Sequence, residues 1–266
     1  MPDSPLITLT SDFGEGSPYV AAMRGVLASR APQARLLDIS HAVPPFDLMS
    51  ASFMLWVGTS TFPADTVHLA VVDPGVGTAR QRMVLVTEVG TYIGPDNGLM
   101  SYVMMRLSHW QAFAIQSPDL LGPGSSATFE GRDVFAVLAA AIASGLPACR
   151  VGPELTDPVR LPDLLPRRDA DGSLLGMVIW VDSFGNLVTN LTAADTMHGS
   201  SIEIASHGPL RVVRTFADVD VGQPVAYLGS SGTVEIGIRE GRADRIFGIT
   251  TGTPVRVGRE APPKIC

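Results

Sequence analysis

The sequence predicts an α/β N-terminal domain with a largely parallel sheet, followed by a smaller all-β, barrel-like C-terminal domain. Three observations carry this. β-prone runs alternate with helical faces as far as Gly145, as a layered α/β domain requires. Pro147, Pro153, Pro158, Pro162 and Pro166 then leave no room for a long helix, which marks a connecting or wrapping segment. Beyond Leu174 the chain breaks into short β-rich runs between turn residues, the pattern of a small barrel or sandwich. The division falls at 1–165 for the α/β domain with its proline-rich connector and 166–266 for the β-barrel domain.

The elements follow in order. Leu6 to Thr10 is a short strand ending in Ser11-Asp12-Phe13-Gly14. Tyr19, Val20, Met23, Val26 and Leu27 share one helical face. Leu36 to Ile39 is a second strand, and Asp47 can cap a helix that buries Leu48, Ala51 and Leu55. His68 to Val72 is a third strand, running into Asp73-Pro74-Gly75, and Met83 to Thr87 pairs with Thr91 to Ile93 as a hairpin. Asn97 can cap a helix with Leu99, Val103 and Leu107 facing inward, and Val134 to Ile142 reads as a buried helix. In the second half SIEIAS and PLRVVR form one hairpin, PVAYLG and TVEIGI another, and TPVRVG a last strand, with no helical period among them.

Composition removes several functions. The chain has 266 residues, 45% hydrophobic and 17% charged, which suits a packed core and not a disordered chain. A formal charge of −7, shared by both halves, argues against a nucleic-acid partner. Lys264 is the single lysine, so a P-loop or Schiff-base lysine is excluded. Cys149 and Cys266 make neither a disulfide framework nor a zinc spacing, and a reducing cytoplasm is the expected home. The start, MPDSPLITLTSDFG, does not read as a signal peptide, and Val134–Ile142 is about half the ~20 residues that cross a bilayer, so no membrane partner is expected. His41, His68, His109, His198 and His207 form no HxH or HExxH spacing and read mostly as surface or turn residues; no metal is expected.

Chemistry is sought where strands end, because ligands of parallel sheets bind there. Asp12 lies in SDFGEGS, where a carboxylate suits a ribose diol and equally suits a turn. DPGVGTAR is a poor dinucleotide fingerprint, since Arg80 stands at the third glycine and a strand follows. It reads better as a tight turn presenting Asp73 and Arg80 to one space, as an oriented reacting pair or a structural ion pair. In TFEGRDVF, Asp133 can cap the apolar helix, whereas Glu130 beside a glycine is less easily explained by structure. VDSFGNLVTN brings Asp182, Phe184 and Asn186 together, an aromatic surface beside an amide that suits a purine and also makes a good turn.

SDFG at 11–14, DISHAVPPFD at 38–47, VVDPGVGTAR at 71–80, GPDNGLM at 94–100, TFEGRDVF at 128–135, VDSFGNLVTN at 181–190 and YLGSSGTVEIGI at 227–238 together resemble the S-adenosyl-L-methionine (SAM) hydroxide adenosyltransferases. These adenosine-forming SAM hydrolases are relatives of the fluorinase and chlorinase. The resemblance implies an N-terminal α/β domain, a C-terminal β-barrel, and a homotrimer with SAM held between subunits. SAM is then the substrate and no cofactor is needed. It implies Asp12 on the ribose diol and Phe46 against ribose and adenine. Asp73 and Arg80 match two members of an Asp-Arg-His triad that positions water against C5′. Asp182 and Ser230 would bind the amino-acid end, with Phe184 and Asn186 at adenine. Glu130 stands where the triad histidine is expected, and Ser17, Ser231 and Arg239 also depart from common family choices. Two other readings follow: a non-catalytic SAM or adenosine binder, and a halide-using 5′-adenosyltransferase. Asp73, Arg80 and the lack of the fluorinase's inserted segment speak against the second.

Overall fold

A computed structural model describes residues 4–117, 120, 126–196 and 200–259. Lys264, Cys266 and His198 lie outside them. The chain divides into two compact units, Met1–Leu161 and Pro162–Cys266.

The first unit is built on a six-stranded sheet. Its elements in chain order are β1 (Leu6–Ser11), α1 (Pro18–Arg30), β2 (Arg35–Ser40), α2 (Leu48–Thr59), β3 (Val67–Val71), β4 (Arg82–Thr87), β5 (Gly90–Pro95), α3 (Ser101–Arg106), β6 (Trp110–Ala114) and α4 (Ala136–Ala143). The strand order is β2-β1-β3-β5-β4-β6. β1 pairs in parallel with β2 and β3, and β3 with β5, while β4 runs antiparallel to β5 and β6. The sheet's two faces follow from the period of two. Leu69, Val71, Val84 and Ile93 pack with Met23, Leu27 and Leu138 on the side of α1 and α4. Ala70, Met83, Leu85 and Tyr92 pack on the other with Ala51 and Leu55 of α2 and Val103 of α3. Both faces being covered, the central strands β1, β3 and β5 are almost wholly buried.

Local sequence explains the helix starts. The Ser17 hydroxyl accepts a hydrogen bond from the Tyr19 N–H, with Pro18 at the first helical position of α1. Asp47 caps α2, its carboxylate accepting from the Ser50 N–H at 3.0 Å. Asn97 does not cap α3. Its amide donates to the Val72 carbonyl at 2.9 Å and its oxygen accepts from the Leu99 N–H, so it ties a turn to the end of β3 instead. Tyr19 also departs from the expected inward face, being exposed on α1. The apolar run at 134–142 is buried, but its first turn, Gly131–Phe135, is a π-helical turn before α4 begins. β6 carries too mixed a sequence, WQAFA, to stand out by alternation, and forms because β4 offers it an edge.

The second unit contains β7 (Arg167–Arg168), β8 (Leu174–Val181), β9 (Leu187–Thr192), β10 (Ser200–Ile204), β11 (His207–Val213), β12 (Pro224–Leu228), β13 (Thr233–Ile238), α5 (Ala243–Phe247) and β14 (Pro254–Arg259). Seven strands close on themselves in the order β14-β10-β11-β12-β13-β9-β8, with β8 returning to β14, and β7 added alongside β8. Alternate residues Ile202 and Ile204, Val234, Ile236 and Ile238, and Val255 and Val257 fill the interior. α5 is a five-residue helix ending at Gly248, whose φ of 65° suits a left-handed cap. It is too short to leave a helical period in the sequence. Among the described residues no helix is long and apolar enough to cross a membrane.

Candidate functional site

β1, β2 and β3 are parallel, so the loops that follow them leave the sheet at one edge. Ser11 is in register with Val71, and Thr10 with Ser40. Asp12, Phe46 and Asp73 therefore come off neighbouring strand ends, the usual place for a ligand in an open parallel sheet.

The first two of these residues touch. The Asp12 carboxylate accepts a hydrogen bond from the Phe46 N–H at 3.1 Å. Phe46 has φ of 66° and is 69% exposed, which leaves a large apolar ring in water on a backbone that bulky residues seldom adopt. Beneath them the Ser11 hydroxyl and His41 Nδ1 lie 2.7 Å apart, and His41 Nε2 is 3.3 Å from Asp38. The Gly14 N–H donates to the His41 carbonyl and the His41 N–H to Glu15, so the two loops are stitched together. Burial holds the His41 imidazole below its ordinary value, against the pull of Glu15, and it stays neutral at pH 7. His41 is thus no surface residue. Nor is His68, buried between strands beside Thr8 and pushed down to about 4 by desolvation.

Asp73 and Arg80 share one turn. The Arg80 guanidinium donates to both Asp73 oxygens, Nε to Oδ1 at 2.9 Å and Nη2 to Oδ2. The turn is tight enough to need Gly77, which has φ of 78° and where a Cβ would sit 3.1 Å from the Ala127 carbonyl. Glu130, at the start of the π turn, also accepts from Arg80 Nη2 through Oε2. Its other oxygen accepts from Arg82 Nη2. Asp73, Arg80 and Glu130 side chains are all 10% exposed or less, and Arg80 lies over the Phe135 ring.

Arg82 is the member the sequence reading missed. Two carboxylates competing for Arg80 alone would leave one of them binding its proton more tightly. The second guanidinium removes that conflict. Burial works to raise the Glu130 carboxyl, but hydrogen bonds from Arg82 and Arg80, with their charges, more than offset it and hold it below the usual range. For Arg80, burial works against the charge, and the bonds to Asp73 and Glu130 outweigh it, so its pKa rises and the cation is secure. The available signal was the second arginine two residues on, in Arg80-Gln81-Arg82. Asp133 accepts from the Ser126 N–H and pairs with Arg132, outside this cluster.

In the second unit Asp182 organises the turn between β8 and β9. Its Oδ1 accepts from the Phe184 and Asn186 N–H groups at 2.9 and 2.8 Å, and its Oδ2 from the Asn186 amide at 2.9 Å. One of the two amide N–H groups of Asn186 is therefore committed within the loop. Phe184 is 75% exposed. Ser230 is exposed in the turn between β12 and β13, where Gly229 lets Glu235 approach so closely that a Cβ would collide with its carboxylate. Glu235 accepts from the Tyr227 hydroxyl at 2.6 Å. Burial, with the negative charge of Asp182, raises the Glu235 carboxyl despite that bond. Among the described residues, no group of three or more His, Cys, Asp or Glu side chains is placed to hold a metal ion.

Comparison with known proteins decides the family. Residues 7–152 match the SAM hydroxide adenosyltransferase N-terminal domain, and residues 176–256 match the C-terminal domain. The chain belongs to the SAM hydroxide adenosyltransferase family. Among its relatives in the family, the (R)-S-adenosyl-L-methionine hydrolase of Thermus thermophilus is 43% identical over 93% of this chain and 97% of its own length. The enzyme of the same name from Salinispora arenicola is 40% identical over 97% of this chain and 99% of its own. A fluorinase from Nocardia brasiliensis is more distant, 27% identical over 95% and 96%. An uncharacterized conserved protein from Thermotoga maritima has a similar solved structure, with a TM-score of 0.86 and 30% identity, over 95% of this chain and all of that one. The α/β unit and the closed barrel are thus the two halves of a known family architecture, as the resemblance implied.

Proposed function

We propose that this adenosyltransferase-family protein hydrolyses SAM to adenosine and L-methionine. The observation that carries the reading is the Asp73–Arg80–Glu130 cluster at the same sheet edge as Asp12 and Phe46. The sulfonium leaves as a neutral thioether, so displacement needs no acid to protonate it and no metal or cofactor. Water attacks C5′, the C5′–S bond breaks with its electron pair going to sulfur, and the water's proton leaves through a carboxylate or solvent. The protein's task is alignment of water, C5′ and sulfur, worth up to about 7–11 kcal/mol in well-oriented systems.

In this reading Asp12 holds the ribose diol through the capacity its Phe46 bond leaves free, and the Phe46 ring covers the sugar. Asp73, Arg80 and Glu130 fix the attacking water. Asp182 and Ser230 take the amino-acid end, and Phe184 and Asn186 the adenine. A cytoplasmic homotrimer, with SAM meeting different units of neighbouring copies, belongs to the same proposal; equilibrium sedimentation tests the number of copies.

Product identity is the decisive experiment. Incubation with SAM in ¹⁸O-water, with and without chloride and after dialysis against EDTA, is expected to yield adenosine labelled at the 5′-hydroxyl in every case. Tight SAM binding without product would mean a binding protein. A 5′-chloro product would mean a halide-using transferase, and free adenine as first product would exclude attack at C5′.

A further inference from the structure

Glu130 is a buried carboxylate that accepts from Arg80 Nη2, the same nitrogen that donates to Asp73 Oδ2, while Arg80 Nε holds the other Asp73 oxygen. With Arg80 alone the cluster would carry two anions on one cation in a poorly hydrated place, an arrangement that favours protonation or displacement of one carboxylate. Arg82 stands at the first residue of β4, and its Nη2 donates to the Glu130 oxygen that Arg80 does not use. Its side chain is 33% exposed, so it reaches the cluster from the rim and is no part of the packed core.

We propose that Arg82 is a positioning residue for the reaction, acting through Glu130: it fixes one carboxylate oxygen so that the other stays on Arg80, and so keeps the water-holding face of the cluster in one arrangement. Each end of the device comes from a different element, β4 on one side and the π turn before α4 on the other. The charged groups acting on Glu130 are Arg80 and Arg82, with Asp73 beyond Arg80; on its own turn Arg132 and Asp133 pair with each other. Removing Arg82 leaves Glu130 with a single cation shared with Asp73. Its carboxyl then rises toward the ordinary range, and at acid pH it lets go of Arg80. A purely structural ion pair at a surface rim would change stability slightly and nothing else.

This inference rests on the hydrolase reading, and the test separates the two. The variants are Arg82→Gln, Arg82→Lys, Glu130→Gln and the double variant Arg82→Gln/Glu130→Gln, each with its melting temperature recorded. Arg82→Gln is expected to lower kcat about tenfold with little change in KM for SAM, and to move the acid limb of the kcat profile to higher pH. Arg82→Lys should recover much of the loss. Once Glu130 is neutral, removing Arg82 should change kcat less than about twofold, because the residue acts only through that carboxylate. Equal losses with and without the Glu130 carboxylate, or an unmoved acid limb, would overturn the proposal. So would a loss that merely follows melting temperature. NMR titration of the carboxyl carbons reads the same coupling without turnover: the Glu130 midpoint should rise in Arg82→Gln, and an unshifted midpoint would refute the proposal. A wild-type protein that makes no adenosine would refute the hydrolase reading, whatever the titration shows.

Discussion

Glu130 in the N-terminal unit and Glu235 in the C-terminal unit are both withdrawn from water, and their proton affinities move in opposite directions. Burial pushes each carboxyl up. At Glu130 two guanidinium groups reverse that push, whereas at Glu235 the partner is a phenol and the nearest charge is the Asp182 carboxylate. What a buried carboxylate faces, more than how deeply it is buried, decides which way its proton affinity moves. The N-terminal unit thus holds a fixed, charge-balanced cluster suited to orienting water. The C-terminal unit sets Glu235 beside the charge of Asp182, and Arg242, whose charge also feels Asp182, is engaged by Asp244 and the Ser183 carbonyl.

The largest effect that can break this contrast is at Asp73. Asp73→Asn keeps the shape but removes the charge that pairs with Arg80, and is expected to cut kcat by about 10²–10⁴-fold with a much smaller change in KM. Steady-state kinetics decide it. A loss expressed mainly in KM would place Asp73 in binding and not on the reacting water.

Next is Asp12→Ala, which removes the expected ribose contact and the anchor of the Phe46 backbone together. We expect weaker binding of both SAM and adenosine, by about 1–3 kcal/mol, measured by calorimetry. Unchanged adenosine affinity would detach this loop from the adenosyl group.

The smallest effect sharpens the comparison itself. Glu130 has a lowered folded-state pKa, so its contribution to stability is present above the unfolded value and is lost as pH falls through the folded one. Glu235 is raised, so its ionised form costs stability as pH climbs from the unfolded value through the folded value. Glu130→Gln should therefore lower the melting temperature at neutral pH, by the equivalent of about 1–3 kcal/mol, with the difference shrinking in acid. Glu235→Gln should leave it unchanged or slightly higher at neutral pH and make no difference in acid. The same pH response for both variants would mean that their partners do not set their charges.

Much of this was legible in the sequence. The αβ alternation, the proline stretch and the paired β runs announced two different textures, and DPGVGTAR read better as a tight turn presenting Asp73 and Arg80 to one space than as a dinucleotide fingerprint. Three features were hidden for physical reasons. β6 depends on an edge offered by a distant strand, so its own sequence need not alternate. The histidines at 41 and 68 are buried with Nδ1 of each ring paired to a hydroxyl, of Ser11 and Thr8, and those partners lie 30 and 60 residues away. Arg82 carries no local sign of its role, because the carboxylate it meets lies 48 residues away in the turn at 130.

Phe46 stands in a left-handed backbone conformation that glycine would occupy at no cost, and a carboxylate from another strand end holds it there. A scan of substitutions would not see positions 12 and 46 as independent. Any exchange that shortens or removes the carboxylate at 12 also frees the peptide at 46, so the aromatic ring drifts before a single atom of it is altered. The two positions are open to change only as a pair: a new side chain at 12 is tolerated where position 46 accepts a different backbone, and two loops tied this way resist stepwise remodelling at either position.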